Sequence, residues 1–213
     1  MKEIIDRFYI ATDAVVFTVD KDTLKVLLIK RKGSPFKGMF AIPGGFLQNK
    51  DTTLDKCAYR ELHEETGVRD IFLKKLTAFG DKGRDPRGRV ITISYLALIS
   101  SEDIELKPAT DASDAGWFDI IDLPNLAFDH KKILNHAFHN LKKEIETTNI
   151  AFQLLPERFT LTEMQKVYEA VYQQKLDKRN FRKKIRLLEL LKDTHQTKME
   201  GAHRPAKLYS FKI

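Results

Sequence analysis

Runs of apolar residues separated by polar turns dominate the first third of the chain. Ile10–Val19 and Leu24–Lys30 are rich in Val, Ile and Leu, and Asp20–Thr23 separates them. This alternation is typical of two strands joined by a hairpin turn. Three later runs of the same kind predict further strands, at Leu73–Phe79, Val90–Ile99 and Trp117–Ile120.

Two stretches instead space their apolar residues three and four positions apart, as helices do. The first runs from Thr52 to Thr66, and Gly67 is a suitable stop for it. The second begins near Asp129, a good N-cap residue, and continues with a broad apolar stripe. The stripe comprises Ile133, Leu134, Ala137, Phe138, Leu141 and Ile145. Together these patterns predict an α+β fold.

The C-terminal part follows the order helix, helix, hairpin. A capping box can begin the first helix at Thr160 with Glu163, or at Thr162 with Gln165. Asp177 is the expected N-cap of the second helix, and two strand-like runs follow around Gly201. We place the domain boundary in the linker 147–158, which predicts a first domain over 1–150 and a second over 151–213.

The charge is unevenly divided between these two parts. Residues 1–150 hold 23 Lys and Arg against 23 Asp and Glu, whereas residues 151–213 hold 14 against 7, so the second part carries the whole net charge of +7. Such a concentration of positive charge indicates a polyanionic partner, with nucleic acid first and an anionic membrane surface second.

The second C-terminal helix is strongly amphipathic. Six basic residues and no acidic residue lie between positions 178 and 186, and most of them share an arc of about 140°. Phe181, Ile185 and Leu188 lie on the opposite side and are too few to anchor a membrane helix. A solvated helix face is the other alternative. The candidate DNA-binding residues are Lys178, Arg179, Asn180, Arg182, Lys183 and Arg186, with His203 and Arg204 at the hairpin tip.

Several classes of protein do not fit the sequence. The first residues lack the apolar run of a signal peptide, and no segment approaches the roughly 20 apolar residues of a membrane span. Cys57 is the single cysteine, so no disulfide can form within the chain. We therefore expect a cytoplasmic protein without a membrane partner.

The segment GGFLQNKDTTLDKCAYRELHEETGV, residues 44–68, resembles the Nudix box, Gly-x5-Glu-x7-Arg-Glu-U-x-Glu-Glu-x-Gly-U with U apolar. Its second half matches at every fixed position: Arg60, Glu61, Leu62, Glu64, Glu65, Gly67 and Val68. The first half departs from the pattern, because the glutamate position falls on Asp51 when counted from Gly45 and on Thr52 when counted back from Arg60. Either a threonine has replaced the glutamate, or an aspartate substitutes from a shifted position.

The resemblance implies a hydrolytic site formed by Arg60, Glu61, Glu64 and Glu65. The three glutamates lie at i, i+3 and i+4 along one helix edge, so they are also the candidate metal ligands. Mg²⁺, which prefers oxygen ligands, is the cofactor expected if the chain is hydrolytic, and none is expected otherwise. The simpler alternative is a solvated helix face.

Two further segments, FGDKGRDPRGRVITISYLALI and LAFDHKKIL, resemble the ADP-ribose branch of the family and its regulatory relatives. They extend the resemblance over roughly residues 8–145. The candidate effector-binding residues are Arg31, Arg84, Asp85, Arg87 and Arg89. A charged connection between strands is the alternative for each of them.

The strings LDKRNFRKKI and RPAKLYSF resemble the C-terminal domains of Nudix-related transcriptional regulators. This resemblance implies a Nudix α/β/α sandwich with a mixed sheet, followed by a winged helix-turn-helix domain. It also implies a homodimer that binds double-stranded operator DNA and a small effector.

Two functions from different classes follow from these observations. The favoured one is a regulator whose effector is a sugar such as arabinose, or an ADP-ribose-like compound, and which controls sugar catabolism. A sugar is preferred because the altered box should weaken a magnesium-pyrophosphate site more than a polyhydroxyl pocket. The alternative is an Mg²⁺-dependent pyrophosphatase acting on ADP-ribose or a nucleoside-diphosphate sugar.

Overall fold

A mixed β-sheet forms the centre of the first domain. The structure is a computed structural model that describes residues 7–69, 71–103, 115–199 and 205–212. Within these ranges seven strands make up the sheet: β1 (Tyr9–Asp20), β2 (Thr23–Lys30), β3 (Phe40–Ala41), β4 (Gly44–Phe46), β5 (Phe72–Phe79), β6 (Val90–Leu98) and β7 (Ala115–Asp119). The strand order is β3-β2-β1-β6-β5, with β4 also paired to β1 and β7 to β2.

One helix covers each face of this sheet. Helix α1 (Leu54–Thr66) lies over one face, where Leu62 packs with Val16 and Leu27. Helix α2 (His130–Thr147) lies over the other, where its stripe packs with Val15 and Phe17. Successive residues of a strand point to opposite faces of the sheet. Strand β1 therefore contributes Val15 and Phe17 to the core under α2, and Val16 to the core under α1. The arrangement is the predicted α/β/α sandwich with a mixed sheet, in which β1 and β6 are parallel.

The second domain is a winged helix. It comprises β8 (Phe159–Thr160), α3 (Leu161–Tyr172), α4 (Lys178–Leu187), β9 (Leu191–Lys198) and β10 (Ala206–Phe211). The strands form an antiparallel sheet in the order β8-β10-β9. Helix α3 begins with a capping box between Thr160 and Glu163, which decides between the two predicted caps, and Asp177 caps α4 as expected.

The two domains share one hydrophobic cluster. It includes Phe17 from the sheet, Leu141 from α2, and Met164 and Ile185 from the winged helix. A 3-10 helix at Ile150–Leu154 connects the domains and contributes to the same cluster. A polar contact also joins the two domains: Lys166 on α3 forms an ion pair with Asp22, in the turn between β1 and β2 (3.1 Å).

The predicted α+β fold is confirmed, and the differences are local. Strands β3, β4 and β8 were not predicted. Each has only two or three residues, beside Pro43 or at a helix cap, and so few residues show no alternation of apolar and polar positions. Asp129 occupies the N-cap position of α2, but its side chain makes no capping hydrogen bond. Leu188 follows α4 and is 43% exposed, so it does not belong to the buried side that Phe181 and Ile185 form. None of the described helices is long and apolar enough to cross a membrane.

Candidate functional site: a charged aromatic pocket and a basic helix

The first candidate site is a partly enclosed pocket on the Nudix-type sandwich. Its walls come from β1, from the end of β2, from β4, from the loop between β5 and β6, and from the start of α2. The residues that carry its chemistry are Asp13, Arg31, Phe46, Arg84, Asp85, Arg87, Phe128 and His130. Four of the five predicted effector-binding residues therefore lie on one pocket.

Three guanidinium groups face this pocket, and each is held in place. Arg31 donates from Nε to the Pro35 carbonyl (3.0 Å). Arg84 makes a two-pronged ion pair with Asp129, at 3.0 and 2.7 Å. Arg87 makes a similar pair with Asp85, whose carboxylate also accepts the Arg87 backbone N–H. Fixed guanidinium forks of this kind suit phosphate and carboxylate ligands.

Two aromatic rings lie against these guanidinium groups. The guanidinium of Arg31 lies 4.6 Å from the centre of the Phe128 ring, and that of Arg87 lies 4.7 Å from the centre of the Phe46 ring. Phe128 also stacks at an angle on His130, with ring centres 5.2 Å apart. The pocket thus offers flat apolar surfaces beside positive charge, a combination that suits a planar aromatic group attached to an anion.

His130 lies at the base of the pocket as a neutral imidazole. Its Nδ1 accepts the Ile42 backbone N–H (2.9 Å), which places the ring proton on Nε2, 3.8 Å from Oδ1 of Asp13. Burial lowers the pKa of His130 below its usual 6.5. The Ile42 N–H therefore fixes the His130 ring near Asp13, and burial disfavours a positive charge on this ring.

The Nudix-box residues lie beside the pocket, and Asp51 takes the place left open by the sequence. Arg60 donates to both carboxylate oxygens of Asp51, at 2.8 and 2.7 Å, and the Asp51 side chain is only 3% exposed. This hydrogen-bonded pair holds the pKa of Asp51 well below its usual range. Thr52 is exposed. The aspartate therefore substitutes from the shifted position, and the extra loop residue brings it to Arg60.

The three glutamates of the box are each engaged by protein groups. Arg60 donates to Glu61 (2.6 Å) and to Glu64 (3.2 Å), whereas Glu65 accepts the Gly44 backbone N–H (2.8 Å). Burial raises the pKa of Glu65 to about 8, so this carboxyl is mostly protonated at neutral pH. Within the described ranges, no three His, Cys, Asp or Glu side chains are grouped so as to hold a metal. The predicted magnesium ligands share a helix edge but do not converge as placed.

The second candidate site is the exposed face of α4. Phe181 and Ile185 are its buried residues and dock it on the winged helix, where Phe181 packs on Tyr168 (5.2 Å between ring centres). Arg179, Arg182, Lys183 and Arg186 line a shared surface depression. Lys178, Asn180 and Lys184 are exposed. Among the described residues, none of the six basic side chains of α4 forms an ion pair.

Some predicted site residues lie elsewhere. Arg89 is exposed outside the pocket, where its guanidinium lies 5.8 Å from the centre of the Phe8 ring. His203 and Arg204, predicted at the tip of the wing, fall outside the described residues.

Sequence reasoning missed five residues that shape the pocket: Asp13, Phe46, Phe128, Asp129 and His130. The last three belong to the segment LAFDHKKIL, so the family resemblance had already marked the region. Phe46 stands within the segment that resembles the Nudix box but at a variable position of the motif, and Asp13 lies inside a predicted strand, so neither was marked as a pocket residue.

Comparison with known proteins matches both parts of the chain. The family model described as NUDIX domain matches residues 9–137, and the model described as NrtR DNA-binding winged helix domain matches residues 151–211. A protein of Acinetobacter baylyi, named ADPR responsive transcriptional repressor NtrR, is 35% identical over 204 residues, which cover 94% of this chain and 81% of that protein. An ADP-ribose pyrophosphatase of Methanocaldococcus jannaschii is 43% identical over 125 residues, covering 59% of this chain and 70% of the enzyme.

The whole fold also matches a solved regulator. Shewanella oneidensis NrtR complexed with a 27mer DNA superposes with a TM-score of 0.82 at 33% identity, covering 95% of this chain and 93% of that one. The NUDIX domain of the same protein, complexed with ADP ribose, gives 0.60 at 34% identity over 64% of this chain and 90% of that domain. From the match over nearly its full length, this chain belongs to the Nudix-related NrtR family.

Proposed function

We propose that this chain is a DNA-binding transcriptional regulator whose Nudix domain senses ADP-ribose. The observation that carries the proposal is the basic face of α4, where five exposed basic side chains and the half-buried Arg182 form no ion pairs among the described residues. A hydrolase needs no such helix, because its substrate would bind in the pocket of the other domain. The DNA complex of the Shewanella relative supports the same conclusion.

The chemistry of α4 suits double-stranded DNA. An α-helix fits the major groove, where Arg pairs with guanine, Asn pairs with adenine, and Lys mainly contacts phosphate. On α4 the exposed Asn180 lies among Arg179, Lys183 and Arg186, so both base-reading and phosphate-binding groups occupy one face. The wing formed by β9 and β10 would add phosphate contacts beside this helix.

The chemistry of the pocket favours ADP-ribose over a free sugar. The Phe46 and Phe128 rings can stack a base, Arg31, Arg84 and Arg87 can meet a diphosphate, and carboxylates can accept ribose hydroxyls. A pentose has no anion to match three guanidinium groups. The sequence-based preference for arabinose, and with it control of sugar catabolism, therefore lacks support, whereas the Acinetobacter relative is named for its response to ADPR.

This proposal divides the chain at residue 150, with the effector domain over 1–150 and the DNA-binding domain over 151–213. We further propose that the chain acts as a homodimer, since paired half-sites in operator DNA require paired winged helices. Sedimentation of the free protein and of its DNA complex tests this: two chains per duplex are expected, and one chain per duplex would contradict it.

A charge-reversal pair tests DNA binding. A duplex selected by the wild-type protein from a random pool serves as the probe. Lys183→Glu with Arg186→Glu should abolish binding, because both side chains are exposed on α4. The matched control, Lys56→Glu with Lys143→Glu, makes the same change of charge at exposed positions of the first domain and should leave most of the affinity. Equal loss in both pairs would mean that α4 is not the DNA-binding surface.

Calorimetry tests the effector. ADP-ribose should bind the wild-type protein, whereas arabinose and xylose should not. Arg87→Ala should weaken ADP-ribose binding, because it removes the guanidinium between Phe46 and Phe128. Arg89→Ala is the matched control, since Arg89 lies in the same loop but outside the pocket. Binding of a pentose in place of ADP-ribose would overturn this part of the proposal.

A second candidate function, Mg²⁺-dependent hydrolysis of ADP-ribose, is favoured by one specific observation. Asp51 gives Arg60 an acidic partner despite the altered box. This ion pair ties α1 to the loop that precedes it. If Mg²⁺ binds, Glu61, Glu64 and Glu65 are the carboxylates available to it, and the metal would supply charge neutralisation and an activated water. The metal would share these carboxylates with their present donors, Arg60 for Glu61 and Glu64 and the Gly44 N–H for Glu65.

A further inference from the structure

The first turn of α2 has an unusual arrangement at its N-cap. Asp129 occupies the capping position, where an aspartate normally accepts a hydrogen bond from a backbone N–H of the helix. Its side chain makes no such bond. Instead both carboxylate oxygens accept from Arg84, at 3.0 Å from Nε and 2.7 Å from Nη2. The Asp129 backbone, at φ −95° and ψ 21°, also lies outside the extended region usual for an N-cap, so capping requires a backbone change as well as release from Arg84.

Arg84 is the guanidinium most enclosed by this pocket. Its side chain is 5% exposed, it lines the pocket, and its Nη2 also lies 3.8 Å from Asp13. A diphosphate that reached Arg84 would bring a third anion to this one cation. Because like charges in an enclosed site repel strongly, one of the two aspartates would have to withdraw.

Asp129 is the aspartate that can withdraw at low cost. Its side chain is 18% exposed against 9% for Asp13, and Asp13 is held between Arg84 and the ring of His130. Asp129 also has a second binding place nearby, the Lys131 backbone N–H at the positive end of α2, whereas the N–H groups of His130, Lys132 and Ile133 already donate to the carbonyls of Ala127 and Asp129. Asp13, in the middle of β1, has no helix end to turn to.

Helix α2 connects this point with the DNA-binding domain. Its 18 residues span about 27 Å, from the pocket to the interface with α3. At the far end Glu146 accepts a hydrogen bond from Tyr172 Oη, on the last residue of α3 (3.2 Å). Ile145 lies in the same buried cluster as Met164 of α3. A change in the first turn of α2 would therefore be transmitted along the helix to its contact with the winged helix.

We propose that Asp129 is the switch residue of this protein: an anionic effector takes Arg84, and the released carboxylate caps α2, which alters how α2 holds α3. This inference rests on the proposed function, because it takes ADP-ribose as the effector and DNA binding as the output. It assigns a regulatory role to a residue that need not touch the effector.

Two substitutions of Asp129 separate its two partners. Asp129→Asn frees Arg84 from a competing charge and can still cap the helix, since Asn caps as well as Asp. Asp129→Ala also frees Arg84 but cannot cap. Both variants should bind ADP-ribose about 5-fold more tightly or better, within the usual range of coupling between sites. Fluorescence anisotropy with the selected duplex then measures DNA affinity with and without saturating ADP-ribose.

The expected DNA affinities differ between the two variants. The wild-type protein should change its affinity by about 5- to 150-fold on adding ADP-ribose. Asp129→Asn should show the ADP-ribose-saturated affinity without the ligand, and less than about 2-fold change with it. Asp129→Ala should stay at the ligand-free wild-type affinity in both conditions. The matched control is Asp81→Asn, which breaks an exposed ion pair between the β5–β6 loop and α2, from Asp81 to Lys132 (2.6 Å). The DNA affinity of this variant should respond to ADP-ribose as that of wild type does.

The outcomes distinguish this inference from the proposed function. If the wild-type protein does not respond to ADP-ribose, both fail together. If wild type responds and Asp129→Asn responds equally, the inference fails and the proposed function stands. A measurement on the wild-type protein guards against variants that do not fold: amide exchange at Lys131 should slow by several-fold when ADP-ribose binds, because capping engages its N–H. Unchanged exchange there would also overturn the inference.

Discussion

The buried imidazole of His130 makes the stability of this protein depend on pH. His130 accepts the Ile42 N–H at Nδ1 and is almost completely enclosed. Burial lowers its pKa below 6.5, and the nearby Asp13 opposes this shift only in part. In the unfolded chain the same side chain titrates near 6.5, so on acidification the unfolded state takes up the proton first. Stability is therefore complete above about pH 6.5 and is lost as the pH falls through the folded-state pKa.

The size of the loss follows from proton linkage. A folded state that binds no proton at His130 between pH 7.5 and pH 5.5 loses about 1.4 kcal/mol of unfolding free energy over this range. Other titrating groups add their own dependence, so the test compares variants rather than absolute curves. His130→Asn removes the titration and retains an oxygen that can accept the Ile42 N–H. His139→Asn, at an exposed position of the same helix, is the matched control.

Urea denaturation at pH 7.5, 6.5 and 5.5 measures the three unfolding free energies. Wild type and His139→Asn should each lose more unfolding free energy than His130→Asn between the two extremes, by at most about 1.4 kcal/mol. If all three proteins show parallel pH dependence, the imidazole titrates alike in both states. Burial would then not lower the pKa of His130 in the folded protein.

Three further predictions concern the altered box, α4 and the cap of α3. ADP-ribose hydrolysis in Mg²⁺ should run below about 1 per second, and a faster turnover that Glu64→Gln abolishes would contradict this. Alanine at both Lys183 and Arg186 should reduce the magnitude of the slope of log affinity against log salt concentration by about 1.8 per chain, or about 3.6 for two chains on one duplex, if each side chain contacts one phosphate; an unchanged slope would remove these side chains from the interface. Thr160→Ala should lower the unfolding free energy by about 1 kcal/mol, whereas Thr162→Ala should not, because Thr160 holds the capping box; equal losses in urea denaturation would count against that assignment.

Local rules predicted most of the secondary structure. The apolar spacing of α1 and the stop at Gly67, which adopts φ 77° and donates its N–H to His63, depend only on neighbouring residues. The same holds for α4, where Asp177 caps the helix and Phe181 and Ile185 form its buried side. Short strands such as β3 escaped prediction, because two residues acquire strand geometry only from the partner strand beside them.

The pocket depended on contacts between distant parts of the chain. Arg84 and Asp129 are 45 positions apart, and Ile42 and His130 are 88 apart. No local pattern could show that the Asp129 carboxylate binds Arg84 instead of capping α2, or that Arg89 turns away from the loop residues that line the pocket. Which of these charges face each other is decided when strands and loops pack.

The sequence by itself determined the two-part design: a box of carboxylates on one helix, a basic amphipathic helix in another domain, and a net charge confined to residues 151–213. Only the tertiary structure decided that Asp51 rather than Thr52 meets Arg60, and that Phe46 and Phe128 flank the guanidinium of Arg87. Periodicity, capping and charge are properties of adjacent residues and survive without a fold. The pairing of buried charges and rings is instead set by the space that remains once the sheet and its two helices have packed.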